Sequence, residues 1–215
     1  MDVHPTAGNS GTNDLSRWRP SPRRVTMLLV GLCIFGTGEG LLVLSGLGNS
    51  PWTVLAEGLA RVTGLSVGIV TNAIGLLVLL LWLPLRQRPG LGTVCNALLL
   101  GVFMDITLAV VPPSNSVVIN FLLIVLGILL VGLGGGLYLG AALGPGPRDG
   151  LMTGLHRVTG RSITQVRWFL EISVLIVGFI LGGTVGVGTI MFALLVGPVL
   201  GFSVKTLSLV PSSKL

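Results

Sequence analysis

The sequence predicts an all-α membrane protein: six transmembrane helices in two inverted-topology repeats, each with a short Gly-Pro-initiated broken or re-entrant helix. Three observations carry this expectation. Only 9% of residues are charged, 51% are hydrophobic, and mean hydropathy is +0.94. A soluble domain carries roughly 25% charged residues, so this chain is too poor in charge to cover a globular surface in water. Apolar runs recur along the chain at about 20 residues, the length that crosses a hydrocarbon core. Finally, the stretch Leu47 to Ser66, LGNSPWTVLAEGLARVTGLS, returns 96 residues later as Leu143 to Ser162, LGPGPRDGLMTGLHRVTGRS, with eleven of twenty positions identical and no gap.

Residues 1–24 are polar and rich in Pro, Ser, Asn and Arg, the composition of a disordered cytoplasmic tail. The first three-helix repeat covers residues 25–111, with crossings expected at 25–47, 67–85 and 92–111 and a short helix at 51–63. The second covers residues 117–209, with crossings at 117–142, 163–181 and 188–209 and a short helix at 147–159. Pro51 after Asn49-Ser50 reads as a helix start, because the first helical position needs no N–H donor. Pro147 repeats the arrangement. Gly64 and Gly160 read as stops, since glycine accepts the left-handed cap. Ser66 and Ser162 open the next helices, Ser162 with Gln165 as a capping box. About 13 residues make roughly 20 Å of helix, too short to span. Two placements stay open: each short helix re-enters the membrane, or it lies flat at the interface. Irregular backbone at membrane depth requires protein or water around it.

The offset extends beyond this stretch. Gly31, Gly36, Gly38 and Gly40 map onto Gly127, Gly132, Gly134 and Gly136, while Gly90, Gly92 and Thr93 map onto Gly186, Gly188 and Thr189. Three crossings per half make the halves point in opposite directions. Arg17, Arg19, Arg23, Arg24, Arg86, Arg88, Arg148, His156, Arg157, Arg161, Lys205 and Lys214 then fall on one side, with Arg61 the exception, and the excess of basic residues marks that side as cytoplasmic. The expected location is the bacterial inner membrane with both termini inside. The same clustering explains the net charge of +6 without a nucleic-acid partner. Cys33 and Cys95 lie in apolar runs and read as buried thiols.

Glu39 and Asp105 lie deep in apolar runs, where a charge costs roughly 2.5 kcal/mol or more. Their offset partners are Gly135 and Gly201, so they are not repeated scaffold. Glu171 lies one turn from Arg167, the spacing of a helical pair. Candidate substrate or ion ligands are Glu39, Asp105, Gly48, Pro51, Gly144, Pro147 and Asp149. Arg61 and Arg157, repeated at one helix position, read as helix anchors or an anion clamp. Trp52, Trp82 and Trp168 read as interfacial anchors. No nucleophile–base constellation, phosphate loop or metal-ligand spacing occurs, so no catalytic residue, metal or cofactor is expected, and no enzyme. The expected function is small-solute or ion transport at a site between the repeats, with lipid and an unknown solute as partners. The alternative is a non-transporting scaffold or accessory protein assisting a partner enzyme or regulatory complex. The glycine faces would equally serve a homodimer.

GLGNSPWTVLAEGLARVTGLSVG, followed by RQRPGLGTVCNALLLGVFMD at Arg86 to Asp105, resembles the YczE/YyaS/YitT group of bacterial membrane proteins, and the YczE branch most. Thr53 stands where that group commonly has Asp, whereas Asp149 occupies the same place in the second copy. The resemblance implies an integral bacterial membrane protein and supplies no substrate.

Overall fold

The computed structural model describes residues 17–18 and 20–206. Most of the tail expected at 1–24, and residues 207–209 of the last crossing, lie outside the described residues. From Pro22 onward the described chain is helical: α1 (Pro22–Ser45), α2 (Pro51–Thr63), α3 (Val67–Leu81), α4 (Leu91–Val110), α5 (Val117–Gly140), α6 (Pro147–Thr159), α7 (Ile163–Ile180) and α8 (Val187–Thr206).

Local chemistry sets the short helices. Pro51 and Pro147 occupy the first turns of α2 and α6. Gly64 and Gly160 close them in the left-handed region, φ 73° and 68°. The Ser66 hydroxyl accepts from Ile69 N–H, and Ser162 with Gln165 forms the reciprocal capping box. One start signal works differently: the Ser50 side chain makes no cap bond to the α2 backbone, because its hydroxyl turns to Glu39.

Five helices, α1, α4, α5, α7 and α8, are long and apolar enough to cross a membrane. The second expected crossing, 67–85, is shorter than the sequence suggests. Helix α3 ends at Leu81 after 15 residues, about 22 Å, and a turn follows it. A sixth crossing exists only when α2 and α3 count together across a 114° bend. The outer faces are apolar, with Leu77, Val110, Val117, Phe169 and Ile180 all exposed. Such a surface suits lipid rather than water. Cys33 is also exposed, not buried, and both described thiols are free.

Glycine backbones let the helices close on one another. Helices α1 and α5 run antiparallel and share the most extensive helix interface. A Cβ on Gly38 would lie 2.7 Å from Gly127 O, and one on Gly127 2.9 Å from Gly38 O. Gly31 and Gly134 meet in the same way. Each glycine thus packs against the offset image of the other: 31 maps to 127, and 38 to 134. Helix α4 flanks α1 through Gly36 on Phe103 and Gly40 on Thr107; α8 flanks α5 through Gly132 on Val199 and Gly136 on Ser203. Without Cβ atoms, these backbones reach contact distance without forcing side chains apart.

The junctions before α2 and α6 cross over between halves. Gly188 N–H donates to Leu47 O at 2.9 Å, and Gly92 N–H donates to Leu143 O at 2.8 Å. Gly48 (φ 122°) and Gly144 (φ 118°) adopt a conformation that L-residues rarely reach. Thr189 and Thr93 cap the adjoining helix starts, accepting from Gly186 and Gly90 N–H.

The offset pairing fails between α3 and α4. Helix α3 packs along α4: Gly68 lies on Gly101, and Asn72 donates to Leu98 O and accepts from Gly101 N–H. Helices α7 and α8 make no comparable contact, although only a short turn joins them. Gly197, the offset partner of Gly101, has nothing within 4 Å of its Cβ position.

Candidate functional site

A cavity of about 160 Å³ lies between the halves. That is well above the roughly 10–15 Å³ a single water needs. Its walls come from α1 (Phe35, Glu39), the α2 start (Ser50, Pro51, Trp52), α5 (Gly135, Tyr138), the α6 start (Pro147, Arg148, Asp149), α7 (Arg167, Glu171) and α8 (Phe192, Val196). Asn96 of α4 also reaches it. Both α7 and α8, which stand apart, contribute to its wall.

Three carboxylates line the cavity, and two of them, Glu39 and Asp149, meet the start of a short helix. Glu39 is 1% exposed. It accepts from Ser50 Oγ at 2.9 Å and Thr53 Oγ1 at 2.8 Å. Those hydroxyls sit at the N-terminus of α2, where the helix dipole favours negative charge. Asp149 lies in the first turn of α6 and accepts from the Tyr138 hydroxyl at 2.9 Å, while that hydroxyl accepts from Gly146 N–H at 2.8 Å. Arg148 lies among them. It is the opposite charge acting on Glu39, it also acts on Asp149, and its guanidinium sits 5.1 Å from the Trp52 ring centroid. A cation over an indole face is attracted by the ring quadrupole. Arg167 and Glu171 form their expected ion pair, 2.9 Å, at the cavity wall.

The residues singled out in the sequence divide into groups. Glu39, Pro51, Pro147 and Asp149 line the cavity. Gly48 and Gly144 stand behind it and shape the crossover junctions. Asp105 does not face this cavity, contrary to the expectation that it joins Glu39. Its carboxylate accepts from Ser66 Oγ at 2.5 Å and Gly68 N–H at 2.8 Å, holding the start of α3 against α4. Asp105 and Arg61 line a separate, shallow surface depression. Arg61 pairs with Glu57 at 2.7 Å, and Glu57 also accepts from Asn49 Nδ2, Thr184 N–H and Thr184 Oγ1. Arg157 donates to Leu85 O. Both arginines thus tie a short helix to a helix-connecting turn of the other half.

The sequence missed several participants. Arg148 looks like one more cytoplasmic charge, and Tyr138 like one aromatic in an apolar run. Trp52 and Trp82 are buried, not interfacial. Trp82 packs where Gly150 has no Cβ and donates Nε1–H to Pro147 O at 3.0 Å, which fixes the α6 start. Gly150 makes room for the indole, which a side chain there would run into. Among the described residues, no group of three His, Cys, Asp or Glu side chains is placed to hold a metal ion.

A family model described as "Family of unknown function (DUF6198)" matches residues 22–205. The chain belongs to this family. A Haemophilus influenzae relative, named "Uncharacterized protein", is 43% identical over 91% of this chain and 90% of its own. The Bacillus subtilis "Uncharacterized membrane protein YczE" is 36% identical over 84% of this chain and 85% of its own. "Uncharacterized protein YyaS" of the same organism is 32% identical over 80% and 87%. The likeness to YczE and YyaS that the sequence motifs carry therefore extends over most of the chain. No solved structure matches it. Fold class and family agree on a helical membrane protein.

Proposed function

We propose that this chain is a small-solute or ion transporter of the bacterial cytoplasmic membrane, with both termini inside and two inverted-topology halves enclosing one site. The observation that carries the reading is the cavity between the halves, lined by both short-helix starts and by charges from each side. Secondary transporters built from inverted repeats place their sites at broken helices between the repeats. The glycine pairs Gly31–Gly134 and Gly38–Gly127 support a two-fold relation, as do the exchanged bonds at Leu47 and Leu143.

The asymmetry supports movement. Here α3 packs on α4 while α7 stands apart from α8. If the halves exchange conformations, the second state has α7 on α8 and α3 apart from α4, and the cavity then opens by the other route. Thr164 and Gly197 are the offset partners of Gly68 and Gly101. In the exchanged state they meet.

The test is a cysteine pair, Thr164→Cys with Gly197→Cys, in a background with Cys33 and Cys95 replaced by Ala. Proteoliposomes holding this variant are assayed for flux of small anions, amino acids and alkali ions. Cross-linking is expected to stop flux, and reduction to restore it. A pair that never cross-links, in a protein that moves no solute, would turn the reading to an accessory scaffold.

A further inference from the structure

We infer that the cavity binds a small monocarboxylate on the Arg148 guanidinium and takes up one proton on Glu39 with each anion. This names the solute class and rests on the transport reading. Among the charged side chains at the cavity, Glu39 accepts from Ser50 and Thr53, Asp149 from Tyr138, and Glu171 from Arg167. Arg148 donates no hydrogen bond to any described residue, yet it lines the cavity beside the Trp52 ring. A guanidinium carries five N–H donors in a planar fork that matches a carboxylate bidentately. The unfilled capacity of this site is therefore for a planar anion. Its volume, about 160 Å³, restricts that anion to a small one.

Charge balance supplies the proton. Glu39 faces Arg148 and Asp149 of α6, Arg167 and Glu171 of α7, and Tyr138 of α5; α4 brings the uncharged Asn96, and α8 only apolar side chains. Ionised, these groups sum to one negative charge: three carboxylates against two guanidinia. A second anion on Arg148 would deepen that excess in a poorly solvated space, where unpaired charge is costly. Protonation of Glu39 offsets it. The entering carboxylate replaces Glu39 as the Arg148 counter-ion, Glu39 gains one proton, and the net charge of the site is unchanged. The carboxyl group so formed keeps an acceptor oxygen for Thr53.

The experiment measures thermal stability and proton uptake of the purified, detergent-solubilised chain with acetate or propionate, against chloride and methylammonium. Because binding takes up a proton, apparent carboxylate affinity should rise as pH falls, by up to about tenfold per pH unit. Arg148→Gln should weaken acetate binding roughly tenfold or more, and Arg148→Lys should recover part of it. Glu39→Gln should bind acetate with no pH dependence and no proton uptake. A folded Arg148→Gln variant that binds acetate like the parent overturns the inference, as does pH-independent binding in the parent chain. If the parent binds no carboxylate while liposomes still carry another solute, this inference falls and the transport reading stands. If neither carboxylate binding nor any flux appears, both fall.

Discussion

At the start of α2 the acid comes from the long helix: Glu39 on α1 reaches the hydroxyls of Ser50 and Thr53. At the start of α6 the acid belongs to the short helix, and Tyr138 on α5 reaches across to Asp149. Thr53 and Asp149 are offset partners, and Gly135 is the offset partner of Glu39. The backbone around the two starts is the same, with glycine at φ 122° and 118°, proline three residues later and a bond to the far half. The two short-helix starts share a backbone arrangement and divide the chemistry between them. Each short-helix start keeps one carboxylate held by hydroxyls, two at α2 and one at α6, with donor and acceptor exchanged between helices. Arg148 then faces both carboxylates.

The largest break of this comparison removes both acids. Glu39→Gln with Asp149→Asn strands Arg148 without either neighbouring carboxylate. The half-buried Arg148 then has neither counter-charge at the short-helix starts, so the double variant should lose more stability than the two singles summed. Adding Arg148→Met should recover much of the loss. Thermal unfolding of the three variants and the triple checks this. An additive result would mean that Arg148 does not couple the two starts.

A smaller effect sharpens the place where the halves differ. A Cβ on Gly101 would run into Gly68 O, whereas one on Gly197 meets nothing. Gly101→Ala should cost about 1–3 kcal/mol through overpacking. Gly197→Ala should be neutral or stabilising by up to about 1 kcal/mol, the helix propensity difference. Equal losses, read as unfolding midpoints, would mean that α7 packs on α8 in solution as α3 does on α4.

These cases also mark how far the sequence was legible. Apolar runs and charge poverty announce a helical membrane protein, because the bilayer tolerates little else. Pro51, Pro147, Gly64 and Gly160 mark the ends of α2 and α6, since their effects are local to the backbone. Glu39 stands out because charge at depth is rare. Arg148 does not, since a basic residue in a connecting stretch is ordinary. Its place beside Glu39 arises from packing between residues over a hundred positions apart. Asp105 misleads for the same reason: depth along a helix does not say which neighbour the side chain faces, and Gly68 N–H faces it. The shortness of α3 was hidden because its apolar run continues through Leu83 and Leu85 after the helix has ended.

The smallest effect belongs to the repeated arginines, and it separates anchoring from charge. Arg61 and Arg157 occupy one helix position, but their partners differ. Arg61 pairs with Glu57 from a side chain 57% exposed, while Glu57 is 11% exposed and holds three further donors from Asn49 and Thr184. An exposed helical ion pair contributes about 0.3–0.5 kcal/mol and Arg61 also donates to Thr184 Oγ1 at 3.2 Å, so Arg61→Gln should cost less than about 1 kcal/mol. Glu57→Gln should cost about 1–2 kcal/mol, because an amide in that place presents an N–H to groups that already donate. Arg157 donates to the carbonyl of Leu85 rather than to an acid, so its replacement by Lys should be tolerated and should show little salt dependence. Unfolding midpoints at low and high salt distinguish these cases. If Arg61→Gln proved as damaging as Glu57→Gln, the α2 end would be held by charge, and the turn at Thr184 would be its passenger.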